Sequence, residues 1–193
     1  DLLEIYDKEN IYQSDGSQDS KLVFEKFIEF KNLSFKYNLN SSKWILEDIN
    51  LRINKGEVIG IYGTTGSGKS TFIDLFSGLI SPSEGSIKID DQNEDAKLNN
   101  SWKKKLTYVP QSIFLIDSSI KDNILFGVDE RNCDQAKLNE VIDRAQLTKL
   151  ISKLPNGVDT VVGERGLGLS GGERQRIGIA RALYRDTEIM IFD

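Results

Sequence analysis

The chain has 193 residues, of which 38% are hydrophobic and 28% are charged, a composition typical of a globular domain. Its net charge of −5 argues against bulk electrostatic binding to nucleic acid, which needs a basic face. Within these residues, a single cysteine and the absence of histidine exclude an intrachain disulfide, a cysteine metal cluster and catalysis by a histidine base.

The first 27 residues are polar and irregular, and residues 14–20 have the composition of a linker. The chain begins with Asp1, and its only methionine is Met190, so we expect it to be a piece of a longer protein. No apolar run approaches the roughly 18 residues that a transmembrane helix needs.

Strand patterns and turns alternate from residue 28 to residue 90. Apolar residues at alternate positions predict strands over 28–37 and 45–53, and a compact apolar run predicts another strand over 57–62. A helix is predicted over 69–77, with Gly78 as its C-terminal stop, and a strand over 86–90.

The second half of the chain is mainly helical, between two short strands. We predict strands over 106–109 and 188–193, and helices over 119–126, 134–145, 148–154 and 170–184. The pattern therefore predicts a nucleotide-binding core of strand, loop and helix, interrupted by a helical insert at about 112–168.

A glycine-rich loop follows the apolar run at 57–62 and matches the pattern G-x-x-x-x-G-K-[ST]. Its residues, with the threonine that follows, are Gly63, Thr64, Thr65, Gly66, Ser67, Gly68, Lys69, Ser70 and Thr71. Such a loop points backbone N–H groups at a chain of phosphates, and the next helix presents its positive end to them. Lys69 can reach the β and γ phosphates, and the Ser70 hydroxyl can bind Mg²⁺. The alternative is a mere turn, which the flanking strand and helix disfavour.

An aspartate ends the last apolar run of the chain. The carboxylate of Asp193 would lie at the tip of a buried strand, where it can hold the Mg²⁺ shell beside Ser70. A strand-terminal aspartate alone is usually a cap or a turn residue, so this prediction depends on the phosphate loop upstream.

A second informative stretch, residues 169–176, reads LSGGERQR. Ser170 is a good N-cap, and Glu173 three residues later completes a capping box. The two glycines at the helix start leave backbone amides uncovered, which favours anion binding. An ordinary capped helix is the alternative interpretation.

The LSGGE of residues 169–173 resembles the signature motif of ATP-binding-cassette (ABC) ATPases, and Ser170 lies 101 residues after Lys69. YVPQ at 108–111 resembles the Q-loop of that family, and VGERG at 162–166 resembles the loop before the signature in exporter-type members. Tyr37 resembles the aromatic residue that stacks on adenine, and a plain strand aromatic is the alternative interpretation. The resemblance covers about residues 28–193.

The resemblance implies an α/β fold: a P-loop NTPase (ABC ATPase) core with an antiparallel β subdomain and a helical insert, its C-terminal part lying beyond residue 193. It also implies roles at matched positions. Gly63 to Thr71 would cradle ATP and Mg²⁺, Gln111 would contact the metal and the attacking water, Asp193 would be the Walker B carboxylate, and Ser170, Gly171, Gly172 and Glu173 would contact the nucleotide of a second copy. Lys69, Gln111 and Asp193 are thus the candidate catalytic residues.

The implied partners are a second ABC ATPase domain in a head-to-tail dimer and a transmembrane domain on the same chain, with residues 1–27 as the linker. The domain would then work at the cytoplasmic face of a membrane and power export, with no nucleic acid partner. Residues 102–106 and 112–117 flank Gln111, where the family docks its coupling helices. Residues 113–117 and 120–127 resemble transporters of lipids or lipid-linked saccharides.

Other members of the family leave two alternatives open: a soluble ABC ATPase of DNA repair or translation, and a non-hydrolysing nucleotide-binding regulator. The VGERG stretch favours an exporter. The family's catalytic glutamate would follow Asp193, outside these 193 residues. We therefore expect this chain alone to bind ATP weakly or not at all and to hydrolyse it negligibly, and we expect part of its core sheet to be unpaired.

Overall fold

The structure is a computed structural model that describes residues 23–39, 42–90, 100–129, 131, 133–163 and 168–193. The chain divides into two compact units, Asp1–Lys103 and Lys104–Asp193, which are described separately. Most of the predicted linker at 1–27, together with Glu164 and Arg165 of the VGERG stretch, lies outside the described residues.

Unit 1 is built on an antiparallel sheet of three strands in the order β2-β1-β3. Its strands are β1 (Phe27–Phe35), β2 (Leu46–Asn54) and β3 (Glu84–Ile89). The central residue Phe30 pairs with Leu51 on one side and Ile87 on the other, and it is buried together with Leu33. The antiparallel β subdomain expected at the sequence level is confirmed.

Helix α1 (Lys69–Phe76) packs its aromatic residues against this sheet, because Phe72 and Phe76 lie 5.1 and 6.0 Å from the Phe30 ring. Gly78 follows the helix with a φ of 69°, a conformation that favours glycine, so the predicted C-terminal stop is confirmed. The short helix α2 (Asn100–Lys103) adds Trp102, which is fully buried and donates its indole N–H to the Phe76 carbonyl at 2.7 Å.

The strand predicted over 57–62 is wrong for the described part of the chain. No described strand pairs with this segment, and Val58 and Tyr62 are 97% and 96% exposed. A run of apolar residues becomes a strand only when a neighbour supplies the ladder of hydrogen bonds. In unit 1 both edges of β1 are already occupied by β2 and β3, and the segment from Val58 onward gains no such neighbour.

Unit 2 contains a parallel pair of strands, β4 (Leu106–Val109) and β7 (Ile189–Phe192), which confirms the two strands predicted there. Leu106 pairs with Ile189 and Val109 with Phe192, so both strands end at the same edge. Lys105 and Glu188 form an ion pair at the opposite end.

The remaining elements of unit 2 surround one apolar core. They are β5 (Ser118–Ser119), α3 (Ile120–Ile124), α4 (Gln135–Arg144), α5 (Thr148–Ile151), a 3₁₀ turn (Gly157–Asp159), β6 (Val161–Val162) and α6 (Gly171–Arg185). The core residues without exposed surface are Ile120, Leu138, Leu147, Val162, Ile177 and Ala180.

The four helices predicted in unit 2 are present, but the one predicted over 148–154 ends at Ile151 and has no side-chain cap. Ser119 and Asp122 form a capping box at the start of α3, and Asp134 accepts hydrogen bonds from the N–H groups of Ala136 and Lys137 at the start of α4. The insert at about 112–168 is not purely helical, because it also holds the antiparallel pair β5–β6. In the described ranges, no helix is both long enough and apolar enough to cross a bilayer.

Candidate nucleotide-binding site

The phosphate loop leads directly into α1, which begins at Lys69 after Gly68. Gly66 and Gly68 have φ angles of 81° and 89°, in the left-handed region that side chains rarely adopt. A Cβ on Gly68 would also lie 2.9 Å from Leu46 Cδ2 and 3.0 Å from the Ile45 carbonyl oxygen. The turn therefore needs glycine at position 68 for both conformation and space.

The loop closes around the ammonium group of its lysine. Lys69 Nζ donates hydrogen bonds to the carbonyl oxygens of Gly63 at 2.8 Å and Thr64 at 2.9 Å. A Cβ on Gly63 would lie 2.5 Å from Ser67 Oγ, and Ser67 donates its N–H to the Thr64 carbonyl at 3.1 Å. A compact glycine loop with a cation at its centre suits a chain of anionic phosphates.

The first turn of α1 places Ser70 and Thr71 differently. Ser70 is exposed, so its hydroxyl is available to a ligand, whereas Thr71 is buried. The hydroxyls of Thr71 and Tyr37 lie 3.2 Å apart, and the Tyr37 ring packs edge-on against Phe35. The structure thus brings Tyr37 beside the phosphate loop while leaving 68% of it exposed, and adenine stacking stays a prediction.

Each unit carries one predicted Mg²⁺ ligand whose chemistry suits that ion: Ser70 in unit 1 and Asp193 in unit 2. Mg²⁺ prefers hard oxygen ligands and usually takes only one or two from the protein, with phosphates and waters completing its shell. The exposed Ser70 hydroxyl and the exposed Asp193 carboxylate are oxygen donors of this kind. Among the described residues there is no cluster of three acidic, cysteine or histidine side chains, the donor set that a dedicated protein metal cage would use.

In unit 2, Asp193 follows β7 at the edge where β4 also ends. Asp193 donates its N–H to the Val109 carbonyl at 3.1 Å, and its Oδ2 accepts a hydrogen bond from the Tyr108 hydroxyl at 2.8 Å. Gln111 follows Val109 by two residues and is exposed. The structure therefore carries Gln111 and Asp193 on the ends of two neighbouring parallel strands.

The signature stretch starts α6 with the capping box that the sequence predicts. Ser170 Oγ accepts from the Glu173 N–H at 3.3 Å, and Glu173 Oε2 accepts from the Ser170 N–H at 2.8 Å. Hydrogen bonds from the Ser170 side chain and backbone lower the pKa of Glu173. Nothing lies within 4 Å of the Cβ positions of Gly171 and Gly172, so this helix start is open to a ligand.

The Q-loop and the signature helix share a cavity of about 430 Å³ within unit 2. Its lining residues are Gln111, Ser112, Ile113, Phe114, Leu115, Gly163, Leu169, Gly171 and Arg174. The structure thus brings Gln111 and Gly171 to one site, while the phosphate loop and Tyr37 form their own group in unit 1.

The sequence reasoning missed a role for Tyr108, which anchors the Asp193 carboxylate. The two residues are 85 positions apart, and only the pairing of β4 with β7 brings them together. The available signal was the motif itself, since YVPQ places a tyrosine three residues before Gln111.

Comparisons with known proteins agree with this geometry. A family model described as ABC transporter matches residues 46–193, which include both the phosphate loop and the signature stretch. An ATP-dependent lipid A-core flippase of Alkalilimnicola ehrlichii is 39% identical over 166 residues, which are 86% of this chain and 28% of the relative. An export ATP-binding/permease protein of Rickettsia prowazekii is 37% identical over 166 residues, with the same two coverages.

A solved structure shows the same fold. The structure of a bacterial Atm1-family ABC exporter with ATP bound matches all of this chain with a TM-score of 0.81 and 32% sequence identity. The match covers 34% of that exporter chain. The chain thus spans about a third of the length of the proteins it matches, or less.

Proposed function

The chain belongs to the ABC transporter family, and we propose that it is the part of an exporter that binds and hydrolyses ATP. The observation that carries this proposal is the phosphate loop, in which Lys69 Nζ is held by the Gly63 and Thr64 carbonyls inside a glycine turn. The family fold is an ABC ATPase core of the P-loop NTPase class, and its members bind ATP.

We assign the phosphate chemistry to four side chains. The ammonium of Lys69 would compensate the charge of the β and γ phosphates, and the Ser70 hydroxyl, the Asp193 carboxylate and the Gln111 side chain would hold Mg²⁺, which supplies further neutralisation of phosphate charge when it is bound. Gln111 would also orient the attacking water. Phosphoryl transfer needs positioning and charge stabilisation more than covalent chemistry, and these residues supply both.

The working unit of the proposal is a head-to-tail pair of ATPase domains. Ser170, Gly171, Gly172 and Glu173 then meet the γ-phosphate bound by the second domain, whose own signature reaches the first nucleotide. The open start of α6 supports this role, because apart from the chain neighbours and the helix's own backbone nothing lies within 4 Å of the Cβ positions of Gly171 and Gly172. The 193-residue chain alone is then expected to hydrolyse ATP negligibly.

A transmembrane domain on the same chain is the second proposed partner. The match covers only 28% of the relatives named as a flippase and as an export ATP-binding/permease protein, which leaves room for such a domain. Residues 1–27 would be the linker from it, residues 28–193 the ATPase domain, and the site of action the cytoplasmic face of the membrane. By analogy with the flippase relative, the cargo is a lipid or a lipid-linked saccharide.

Hydrolysis by the intact transporter tests the proposal. In membranes or lipid nanodiscs, the wild-type protein should release phosphate from ATP in a Mg²⁺-dependent manner, and Lys69→Ala should abolish this release. Vesicles that contain a labelled lipid should show ATP-dependent transfer of that lipid between leaflets. Tight ATP binding without phosphate release would favour the non-hydrolysing regulator, and it would overturn the proposed enzyme.

A further inference from the structure

One face of α6 supports the chain segment that follows Gln111. Gly178, Arg181 and Arg185 share this face, because residues three and four apart on a helix are neighbours. Arg181 donates from Nε to the Asn123 carbonyl at 2.8 Å and from Nη2 to the Phe114 carbonyl at 3.3 Å. The signature helix therefore holds this segment by its backbone.

Gly178 makes the closest approach on this face. A Cβ at position 178 would lie 2.5 Å from Ile113 Cδ1, 2.8 Å from Ile113 Cγ1 and 3.4 Å from Ile113 Cγ2. Gly178 is buried within α6 and has an ordinary helical conformation, so space rather than conformation is what glycine provides. The side chain of Ile113 thus occupies the volume that any larger residue at position 178 would take.

The same segment is fixed again three residues later. Asn123 is fully buried, and its side chain accepts a hydrogen bond from the Ile116 N–H at 2.9 Å and donates to the Ile116 carbonyl at 3.0 Å. The segment is therefore held at Ile113, Phe114 and Ile116. This leaves little freedom between the contact with Gly178 and Gln111, which is two residues away.

Arg181 is an integral part of this contact rather than a surface side chain. Burial is the main cause that lowers its pKa, and the nearby Arg185 lowers it further. A partly buried guanidinium needs acceptors, and the carbonyls of Phe114 and Asn123 provide them. These two hydrogen bonds of Arg181 therefore hold the segment against α6.

We propose that Gly178 is a positioning residue for Gln111: with Ile113 seated on the bare backbone of α6, Gln111 is kept in a fixed place relative to the signature motif that begins the same helix. The inference rests on the proposed function, in which Gln111 orients water and metal.

Helix propensity and the contact predict opposite effects for Gly178→Ala. In a helix interior, alanine is favoured over glycine by about 1 kcal/mol, so propensity alone would stabilise the variant. Overlap with Ile113 would instead displace the segment and with it Gln111. A displaced Gln111 should lower kcat while leaving the KM for ATP nearly unchanged, since the phosphate loop is untouched.

The test compares four variants of the intact transporter: Gly178→Ala, Ile113→Ala, the double variant, and Gly60→Ala as a control for the added methyl group outside a helix. Nothing lies within 4 Å of a Cβ at Gly60, so the control adds the same methyl group in open space. ATP hydrolysis, thermal unfolding and amide hydrogen exchange of residues 112–116 are measured for each.

We expect Gly178→Ala to lower kcat at least about fivefold with KM within about twofold, and to speed amide exchange at residues 112–116. In the double variant, both kcat and the rate of amide exchange should lie within about twofold of their values in Ile113→Ala, because the overlap is gone. A Gly178→Ala protein that behaves like Gly60→Ala, or a double variant as impaired as Gly178→Ala, would overturn the inference. If Gly178→Ala does not fold, the double variant is still compared with Ile113→Ala: values within about twofold support the inference, and an impaired double variant overturns it. Absence of hydrolysis in the wild type would instead refute the proposed function, and amide exchange would still decide the positioning contact.

Discussion

Lys69 combines two tasks in one side chain, since its ammonium organises the loop and supplies the charge that a phosphate would meet. Its two acceptors, Gly63 and Thr64, precede it by six and five residues, so the loop folds back on the helix start. The sequence pattern predicted the charge and its place before α1. That the hydrogen-bond partners of Lys69 are loop carbonyls is seen only in the structure.

Lys69→Ala should weaken ATP binding to the intact protein at least about tenfold, because both the charge and the two hydrogen bonds that shape the loop are lost. Titration with a fluorescent ATP analogue measures the dissociation constant. Lys149→Ala, which removes an exposed lysine of α5, is the charge-matched control and should bind as the wild type does. Equal affinity in the Lys69 variant would contradict the assigned role.

Asp90 joins two distant parts of unit 1 through its carboxylate, which we expect to make the unit less stable in acid. Its carboxylate accepts the N–H groups of Glu25, Lys26 and Phe27 at 2.7–2.8 Å. Burial raises the pKa of Asp90, but these three backbone hydrogen bonds outweigh it, and the pKa is lowered overall. Because the folded-state pKa lies below the unfolded one, its contribution to stability is present above the unfolded pKa and is lost as pH falls through the folded pKa.

Asp90→Asn should therefore lower the free energy of unfolding by about 1–2 kcal/mol near pH 7, and the difference from wild type should shrink as pH falls below about 4. Chemical denaturation of both proteins between pH 7 and pH 3 measures this. If the difference in the free energy of unfolding stays constant over that range, the charge of the Asp90 carboxylate is not what stabilises its contact with residues 25–27.

At the scale of elements, local sequence patterns such as helix caps predict the start of a helix well, but they do not predict which strands pair with each other. The capping box of Ser170 and Glu173 is a rule of sequence, and α6 begins where that rule places it. The strand predicted over 57–62 failed because its apolar pattern does not specify a neighbour. The same limit hid the contact between Tyr108 and Asp193, which depends on the register of β4 with β7.

Ser170→Ala should destabilise the start of α6 by about 1 kcal/mol, since the N-cap hydroxyl is lost. Ser170→Thr retains a hydroxyl at the same position and is the control. Thermal unfolding without nucleotide separates this effect from the proposed ATP contact of Ser170. If alanine and threonine proteins unfold at the same temperature, the cap does not contribute.

Asn123→Ala should cost more, about 2–4 kcal/mol, because the Ile116 N–H would lose its acceptor beside the buried site of Asn123, while the Ile116 carbonyl would keep only the N–H of Ser118. The exposed Asn139→Ala on α4 is the control and should change stability by less than about 0.5 kcal/mol. Urea denaturation of the three proteins measures the difference. Similar urea midpoints for the two variants would contradict the role of Asn123 in holding the segment at Ile116.

For the whole molecule, the motifs that we propose to contact ATP fall into two groups. The phosphate loop and Tyr37 belong to unit 1, and Gln111, the signature motif and Asp193 belong to unit 2. Residues 46–193, which include motifs of both groups, match the ABC transporter family. We therefore propose that both groups bind ATP. In it, each ATP lies between the phosphate loop of one domain and the signature motif of the other.

An ATP-dependent cross-link between two copies tests that arrangement most directly. In the intact transporter with Cys133→Ala, cysteines are introduced at Thr65 in the phosphate loop and at Ser170 in the signature motif. A covalent dimer should form on oxidation with ATP and Mg²⁺, and much less of it should form without nucleotide. A disulfide confined to single chains, or a dimer yield that ATP does not change, would contradict it.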